Sequence, residues 1–266
     1  MKKKVVLIKL GGSLITDKTR PFTIRQEIIQ NLARQIKEAI KERPDLSLVI
    51  GNGGGSFPHF AAVKYQLKEG IKNEKQKYGF CLVQDAAAQL NRIIVDSFLK
   101  EKIKAVSFNP SSSIICQKGK IETFYLDSLL GYLNLGLTPV LYGDIVFDKS
   151  MGSKILSTEV LLNFLALKLK QQGFFVEKII HNGVTKGVLD EHGKVIKKIN
   201  KMNFYQIEEV LKKTEGFDVT GGMRHKINEA LEIANYRIKT FIINGGEGKI
   251  LKKAILDESV EGTIIE

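Results

Sequence analysis

Lys9-Leu10-Gly11-Gly12-Ser13 closes the apolar run Lys4–Leu10, and Gly51-Asn52-Gly53-Gly54-Gly55-Ser56 closes a second apolar run over 46–50. Each junction reads as a buried strand entering a tight turn. Consecutive glycines reach positive φ and leave room for an anion against the backbone N–H groups. One such loop before a helix can bind one phosphate cluster. Two of them, on neighbouring strands, can hold a donor and an acceptor phosphate face to face. Taken singly, each loop is equally readable as a plain turn. The residue order excludes the familiar nucleotide loops: G-x-x-x-x-G-K-[ST] is absent, and neither cluster fits G-x-G-x-x-G. In a P-loop the lysine follows the glycines, whereas Lys9 precedes them at the end of its own strand. A lysine in that place is poorly explained as a solvated surface charge.

Outward from these junctions, Ile29, Leu32, Ala33, Ile36 and Ile40 recur at helical spacing within 24–41. Leu90, Ile93, Ile94 and Phe98 mark a long helix over 76–100. A strand at 103–108, a β-excursion over 113–124, a helix at 125–135 and a strand at 138–142 follow. After Gly143-Asp144 and a loop, the pattern predicts a helix over 157–171 and a strand over 176–181. Helices over 204–213, 223–234 and 249–254 and strands over 240–244 and 263–265 complete the chain. Strand and helix alternate nearly throughout, which argues an α/β fold with a mainly parallel sheet between helices. Ligands bind such sheets beyond the carboxyl ends of the strands, where both glycine clusters fall. The sequence shows no internal repeat, low-complexity segment or Pro/Gly/Ser linker. Its 266 residues therefore predict one continuous structural domain whose lobes share a sheet.

Composition bounds the partners. Hydrophobic residues at 43% and charged residues at 26% exclude a disordered chain. No apolar run approaches the ~18 residues of a membrane span. Met1-Lys2-Lys3-Lys4 is basic, but the apolar stretch behind it is too short for a signal-peptide core. Cys81 and Cys116 make neither a metal-ligand spacing nor a disulfide framework, so a cytoplasmic location is expected. Lys and Arg total 41 against 29 Asp and Glu, a formal +12. That excess suits a nucleic-acid binder, a membrane-surface protein or an enzyme of polyanionic small molecules. The cations are spread along the chain without Trp, an RNP-like aromatic strand or a Cys/His finger. Charge alone does not choose among the three.

The choice comes from motifs. Besides Lys9-Leu10-Gly11-Gly12-Ser13, the chain carries Thr16-Asp17-Lys18 and Gly53-Gly54-Gly55-Ser56-Phe57-Pro58-His59. It also carries Leu141-Tyr142-Gly143-Asp144-Ile145-Val146, Asp218-Val219-Thr220-Gly221-Gly222-Met223 with Lys226, Asn244-Gly245, and Gly262-Thr263-Ile264. Along essentially its whole length the sequence resembles the amino acid kinase superfamily, and within it the isopentenyl phosphate kinases. The first segment and the G-G-M…K segment are generic to the superfamily. The G-G-G-S-F-x-H segment is more specific, because His59 is similar to the acceptor-phosphate histidine of isopentenyl phosphate and fosfomycin kinases.

The resemblance implies a three-layer αβα sandwich in which residues 1–170 bind the acceptor and 171–266 the nucleotide. It implies transfer of the γ-phosphoryl group of ATP, with Mg2+, onto a phosphate oxygen of isopentenyl phosphate by a homodimer. Lys9 and Lys226 would neutralise the transferring group from two sides, with Lys18 over the phosphates. Gly54, Gly55, Ser56, His59 and Thr158 would hold the acceptor. Gly11, Gly12, Ser13, Gly55, Gly187 and Gly222 would join Lys9 and Lys226 around the nucleotide. Asp144 would orient lysines or the active-site loop, and no metal ligand is assigned to the protein. His181, His192 and His225 lack comparable context and read as structural or exposed. Phe80, Val83, Ile94 and Ile114 are candidates to line an apolar acceptor pocket.

The chain departs from the family pattern in four places. Asn52 replaces the histidine before the glycines, and Pro58 replaces the glycine before His59. Ser157-Thr158-Glu159 stands for Ser-Gly-Asp, where Glu159 would still organise the lysines with a reach longer by one methylene, and Gly183-Val184-Thr185-Lys186-Gly187-Val188 stands for Thr-Asp-Val-Asp-Gly-Val. Alternatives at this level are a kinase of the same fold acting on fosfomycin or another small phosphate, a non-catalytic nucleotide sensor, and a nucleic-acid binder.

Overall fold

The computed structural model describes residues 3–214 and 222–266. The segment Asp218-Val219-Thr220-Gly221 of the G-G-M…K motif lies outside the described residues. In chain order the strands are β1 Lys4–Leu10, β2 Leu46–Asn52, β3 Ala105–Ser107, β4 Ile114–Gln117, β5 Lys120–Phe124, β6 Thr138–Tyr142, β7 Asp144–Asp148, β8 Lys154–Leu156, β9 Phe175–Asn182, β10 Lys198–Ile199, β11 Lys239–Ile243 and β12 Thr263–Ile265. The α-helices are α1 Gly12–Ile15, α2 Gln26–Glu42, α3 Pro58–Lys64, α4 Glu74–Lys100, α5 Asp127–Asn134, α6 Thr158–Gln171, α7 Phe204–Thr214, α8 Gly222–Ala234 and α9 Ile250–Ile255.

An eight-stranded sheet in the order β10-β12-β11-β9-β1-β2-β6-β3 forms the middle layer. Its pairings are parallel except that of β11 with β12. β1 is central because Val5, Val6, Leu7 and Ile8 are all fully buried, the continuous apolar run of a strand covered on both faces. On one face Val6, Ile8, Leu10, Leu48, Ile50 and Ile180 pack on α2, α4 and α9. On the other, Val5, Leu7, Val49, Leu141 and Ile179 pack on α5, α6 and Ile233 of α8. Strands from 1–170 and from 171–266 thus lie in one sheet. Buried Gln35 on α2 ties in residues more than 200 positions further along the chain: it accepts from Leu251 N–H at 2.9 Å and donates to the Gly245 carbonyl at 3.1 Å.

Two local differences from the sequence reading have simple causes, and the β-excursion it expects is present. The loop expected after Asp144 holds β7 and β8, which join β4 and β5 in a separate four-stranded sheet. These strands are too short to show a period, and Gly143 alone separates β6 from β7. The excursion over 113–124 is the hairpin β4–β5, paired antiparallel. Finally, α3 begins at Pro58 but buries no residue, so it leaves no apolar stripe to read.

Candidate active site

The two glycine loops meet because their strands do. β1 and β2 run parallel with Lys9 beside Gly51 and Leu10 beside Asn52. Gly53 N–H donates to the Leu10 carbonyl at 2.8 Å. Thr16 Oγ1 then clamps the loops, donating to the Gly12 carbonyl at 2.7 Å and accepting from Ser56 N–H at 3.0 Å. The approach is backbone to backbone: a Cβ on Gly12 would lie 2.7 Å from Gly55 Cα, and one on Gly53 2.8 Å from Gly12 N. Gly55 itself sits at φ +56°, a left-handed conformation that glycine adopts at little cost.

Above the loops lies a cleft of about 670 Å³. Of the residues singled out by sequence, Lys9, Gly11, Gly12, Ser13, Lys18, Gly54, Gly55, His59, Asp144, Thr158 and Lys226 line it. Three others stand elsewhere. Ser56 is buried and exchanges hydrogen bonds with the Thr23 backbone, so it fastens the loop. Gly187 packs against Thr263, where a Cβ would lie 2.7 Å from Oγ1. Gly222 opens α8, whose Met223 and Lys226 reach the cleft.

Charge is concentrated at one point. Lys9 Nζ lies 2.5 Å from Glu159 Oε1, with both side chains at least five-sixths buried (12% and 14% exposed). Glu159 occupies the first turn of α6, whose N-cap Ser157 accepts from Val160 N–H at 3.2 Å. Burial by itself would raise the Glu159 carboxyl, but the Lys9 ammonium, with His181 nearby, holds it down at about 2. Asp144 behaves oppositely. Burial pushes its carboxyl up to about 6, although Ile145 N–H and Ser111 N–H donate to it at 2.8 and 3.1 Å. Asp144 thus accepts from the backbone at Ser111 and Ile145, while Glu159 is the carboxylate that meets Lys9.

His181 was read from sequence as structural or exposed. It is buried on β9 beside Lys9 of β1. Burial lowers its imidazole to about 4 despite the pull of Glu159, and Lys9 and Lys226 add to the lowering.

The departures from the family pattern are accommodated by contacts. Asn52 is fully buried and its Oδ1 accepts from Asn91 Nδ2 at 3.0 Å, while Ser107 Oγ donates to Asn91 Oδ1 at 2.6 Å. Thr158 Oγ1 donates to the Asn52 carbonyl at 2.8 Å, joining α6 to the loop. Pro58 takes the first position of α3, where a missing N–H is harmless; its ring crowds Gly54, where a Cβ would lie 3.1 Å from Pro58 Cδ. Val184 and Thr185 line the cleft, whereas Lys186 points away to Glu261 at 3.3 Å.

The apolar lining comprises Ala62, Val83, Ile155 and Leu156, among others. Of the sequence candidates, Val83 is there. Ile94 belongs to the main core, Ile114 to a cluster with Cys116 and Val146, and Phe80 packs around Leu67, Val83 and Ile145. Ile155 and Leu156 went unread because β8 is three residues long. Among the described residues no group of three or more His, Cys, Asp or Glu could cage a metal. The carboxylates that line the cleft are Asp144 and Glu159, the second of them paired with Lys9.

A mainly parallel sheet with paired glycine loops, and three lysines and a histidine lining the cleft above them, defines a phosphate-handling α/β protein. The chain belongs to the amino acid kinase family: the model of the Amino acid kinase family matches residues 4–244. It is 34% identical to the isopentenyl phosphate kinase of Methanocaldococcus jannaschii over 98% of both chains. It is 33% identical to the isopentenyl phosphate kinase of Methanothermobacter thermautotrophicus, again over 98% of each. A solved structure described as isopentenyl phosphate kinase superposes with a TM-score of 0.82 at 29% identity, covering 98% of this chain and all of that one.

Proposed function

We propose that this chain transfers the γ-phosphoryl group of ATP to isopentenyl phosphate, yielding isopentenyl diphosphate and ADP. The observation that carries the reading is the contact of the two glycine loops beneath Lys9, with His59 lining the same cleft. Full-length similarity to isopentenyl phosphate kinases supports this acceptor over fosfomycin, and supports catalysis over sensing or nucleic-acid binding.

In this reading an acceptor phosphate oxygen forms a bond to the γ-phosphorus as the bond from that phosphorus to the β–γ bridging oxygen breaks. The acceptor is already anionic near neutral pH, so no side chain needs to deprotonate it. The obstacle is repulsion between two polyanions, and fixed cations and N–H dipoles offset it. Lys9 and Lys226 neutralise charge on the transferring group, with Lys18 over the phosphates. The backbone N–H groups of Gly12 and Gly55 complete the cradle. His59 hydrogen-bonds the acceptor phosphate, while Ala62, Val83 and Ile155 receive the alkyl tail. Asp144, together with the phosphates, would hold a magnesium ion, which supplies further charge neutralisation when bound.

We assign acceptor binding to residues 1–170 and nucleotide binding to 171–266, since both parts contribute to the cleft lining. Free cysteines at Cys81 and Cys116 suit a reducing, cytoplasmic setting. Among the described residues no helix is long and apolar enough to cross a membrane.

A coupled ADP-release assay across isopentenyl phosphate, dimethylallyl phosphate, other alkyl phosphates and fosfomycin tests the reading. Isopentenyl phosphate should give the highest kcat/KM. ATP binding without turnover of any acceptor would replace the kinase by a sensor.

A further inference from the structure

Buried polar groups normally find a hydrogen-bond partner, and an orphan calls for a reason. His181 is 5% exposed, yet neither Nδ1 nor Nε2 has a partner. It stands beside Lys9 in the β1–β9 register, and Ile242 of β11 flanks it on the other side. On this sheet face Val5 and Leu7 lead up to Lys9, and Ile179 leads up to His181. The apolar stripe thus gives way to two polar side chains where the cleft begins. Glu159 from α6 and Lys226 from α8 are both near enough to act on the imidazole electrostatically. Out of water, and with the Lys9 and Lys226 charges opposing a further positive one, the ring is neutral, with one N–H donor and one acceptor nitrogen.

Glu159 has its short contact with Lys9 in this structure. When Lys9 turns towards a transferring phosphate, a buried carboxylate loses its cation, and an uncompensated buried charge is costly. A neutral N–H donor next to Lys9 in the sheet register, and so close to the Lys9–Glu159 pair, would remove that obstacle. We propose that His181 is a positioning residue for phosphoryl transfer, whose ring N–H takes over the Glu159 carboxylate as Lys9 moves to the phosphate. The inference rests on the phosphoryl-transfer reading of the site. It gives a role to a side chain that does not line the cleft, and it requires a donor at 181 rather than mere bulk.

Two variants of the full chain, His181→Leu and His181→Gln, separate these demands. Losing the donor should lower kcat about tenfold or more in His181→Leu, the size of one charge-assisted hydrogen bond. The Kd for ATP, by calorimetry, should stay within about threefold, because the lost bond matters as Lys9 shifts. His181→Gln restores a donor and should recover most of the lost rate. Equal rates for wild type and His181→Leu, or equal losses in both variants, would overturn the proposal. A second readout needs no acceptor and no leucine variant. The imidazole 15N signals of His181 should report a neutral ring, and should move in Glu159→Gln and again on adding ATP. Signals indifferent to both would overturn the contact. Failure of the wild type to phosphorylate isopentenyl phosphate would instead refute the assigned reaction, with the 15N signals still deciding whether His181 serves Glu159.

Discussion

The Lys9 ammonium lies 2.5 Å from Glu159 Oε1 and ties the end of the central strand to the first turn of α6. That single contact places a cation over the glycine loops and keeps it compensated inside the protein. Lys9→Ala should therefore cut kcat by about two orders of magnitude or more, the usual loss for a donor aimed at developing charge. ATP affinity should change much less. Calorimetry beside steady-state kinetics separates the two effects.

Glu159 also links the site to acid stability. Its folded value of about 2 lies below the ordinary 4.5, so its contribution is present above pH 4.5 and is lost as pH falls towards 2. Glu159→Gln should lower Tm at pH 7, with breakage of the buried pair costing about 3 kcal/mol. The difference from wild type should shrink on acidification below pH 4.5. Thermal melts across that range check the sign.

Asp144 carries the opposite sign. Its folded value of about 6 lies above the ordinary 3.8, so its favourable contribution is present below 3.8 and is lost as pH rises through 6. The Tm of Asp144→Asn relative to wild type should therefore rise between pH 4 and pH 8. A flat or falling difference in paired melts would show that its backbone hydrogen bonds outweigh its burial.

Gly12 is tested by one methyl group. Alanine there would place Cβ 2.7 Å from Gly55 Cα, so the loops must separate, at a cost of about 1–3 kcal/mol. Turnover should fall at least about a hundredfold, because misplacing a phosphate cradle by an ångström has that effect. Gly136→Ala is a useful contrast: nothing crowds that position, but its φ of +72° keeps a backbone penalty. It should lower Tm with little effect on kcat.

Ile155 lines the cleft while remaining 38% exposed. Truncation to alanine should raise KM for isopentenyl phosphate about tenfold, the worth of one or two apolar carbons in a pocket. KM for ATP should be unaffected. Equal changes in both constants would move Ile155 out of the acceptor pocket.

Much of this arrangement was readable because strong local signals agreed. The unbroken apolar run of β1, the glycines behind it and Lys9 at its end mark a strand edge suited to phosphate. The loop contact follows from adjacency of β1 and β2, which alternation of strand and helix makes natural. Residues whose role depends on a neighbour far along the chain were harder. Glu159 was noted as a departure, but its partner Lys9 lies 150 positions away. His181 carries no motif; only the register of β9 against β1 brings it beside Lys9. Ile155 sits on a three-residue strand with no period. Ser56 illustrates the converse: it belongs to the motif, yet its hydroxyl faces Thr23 rather than the cleft.

The proposed reaction joins a phosphoryl group to isopentenyl phosphate in this cleft, with His59 on the acceptor. The direct measurement is 31P NMR of wild type and His59→Ala incubated with ATP, Mg2+ and isopentenyl phosphate. Wild type should convert the monophosphate resonance into the coupled pair of an organic diphosphate as ADP appears, and His59→Ala should leave it almost unchanged. An unaltered monophosphate signal with wild type, or full conversion by His59→Ala, would contradict it.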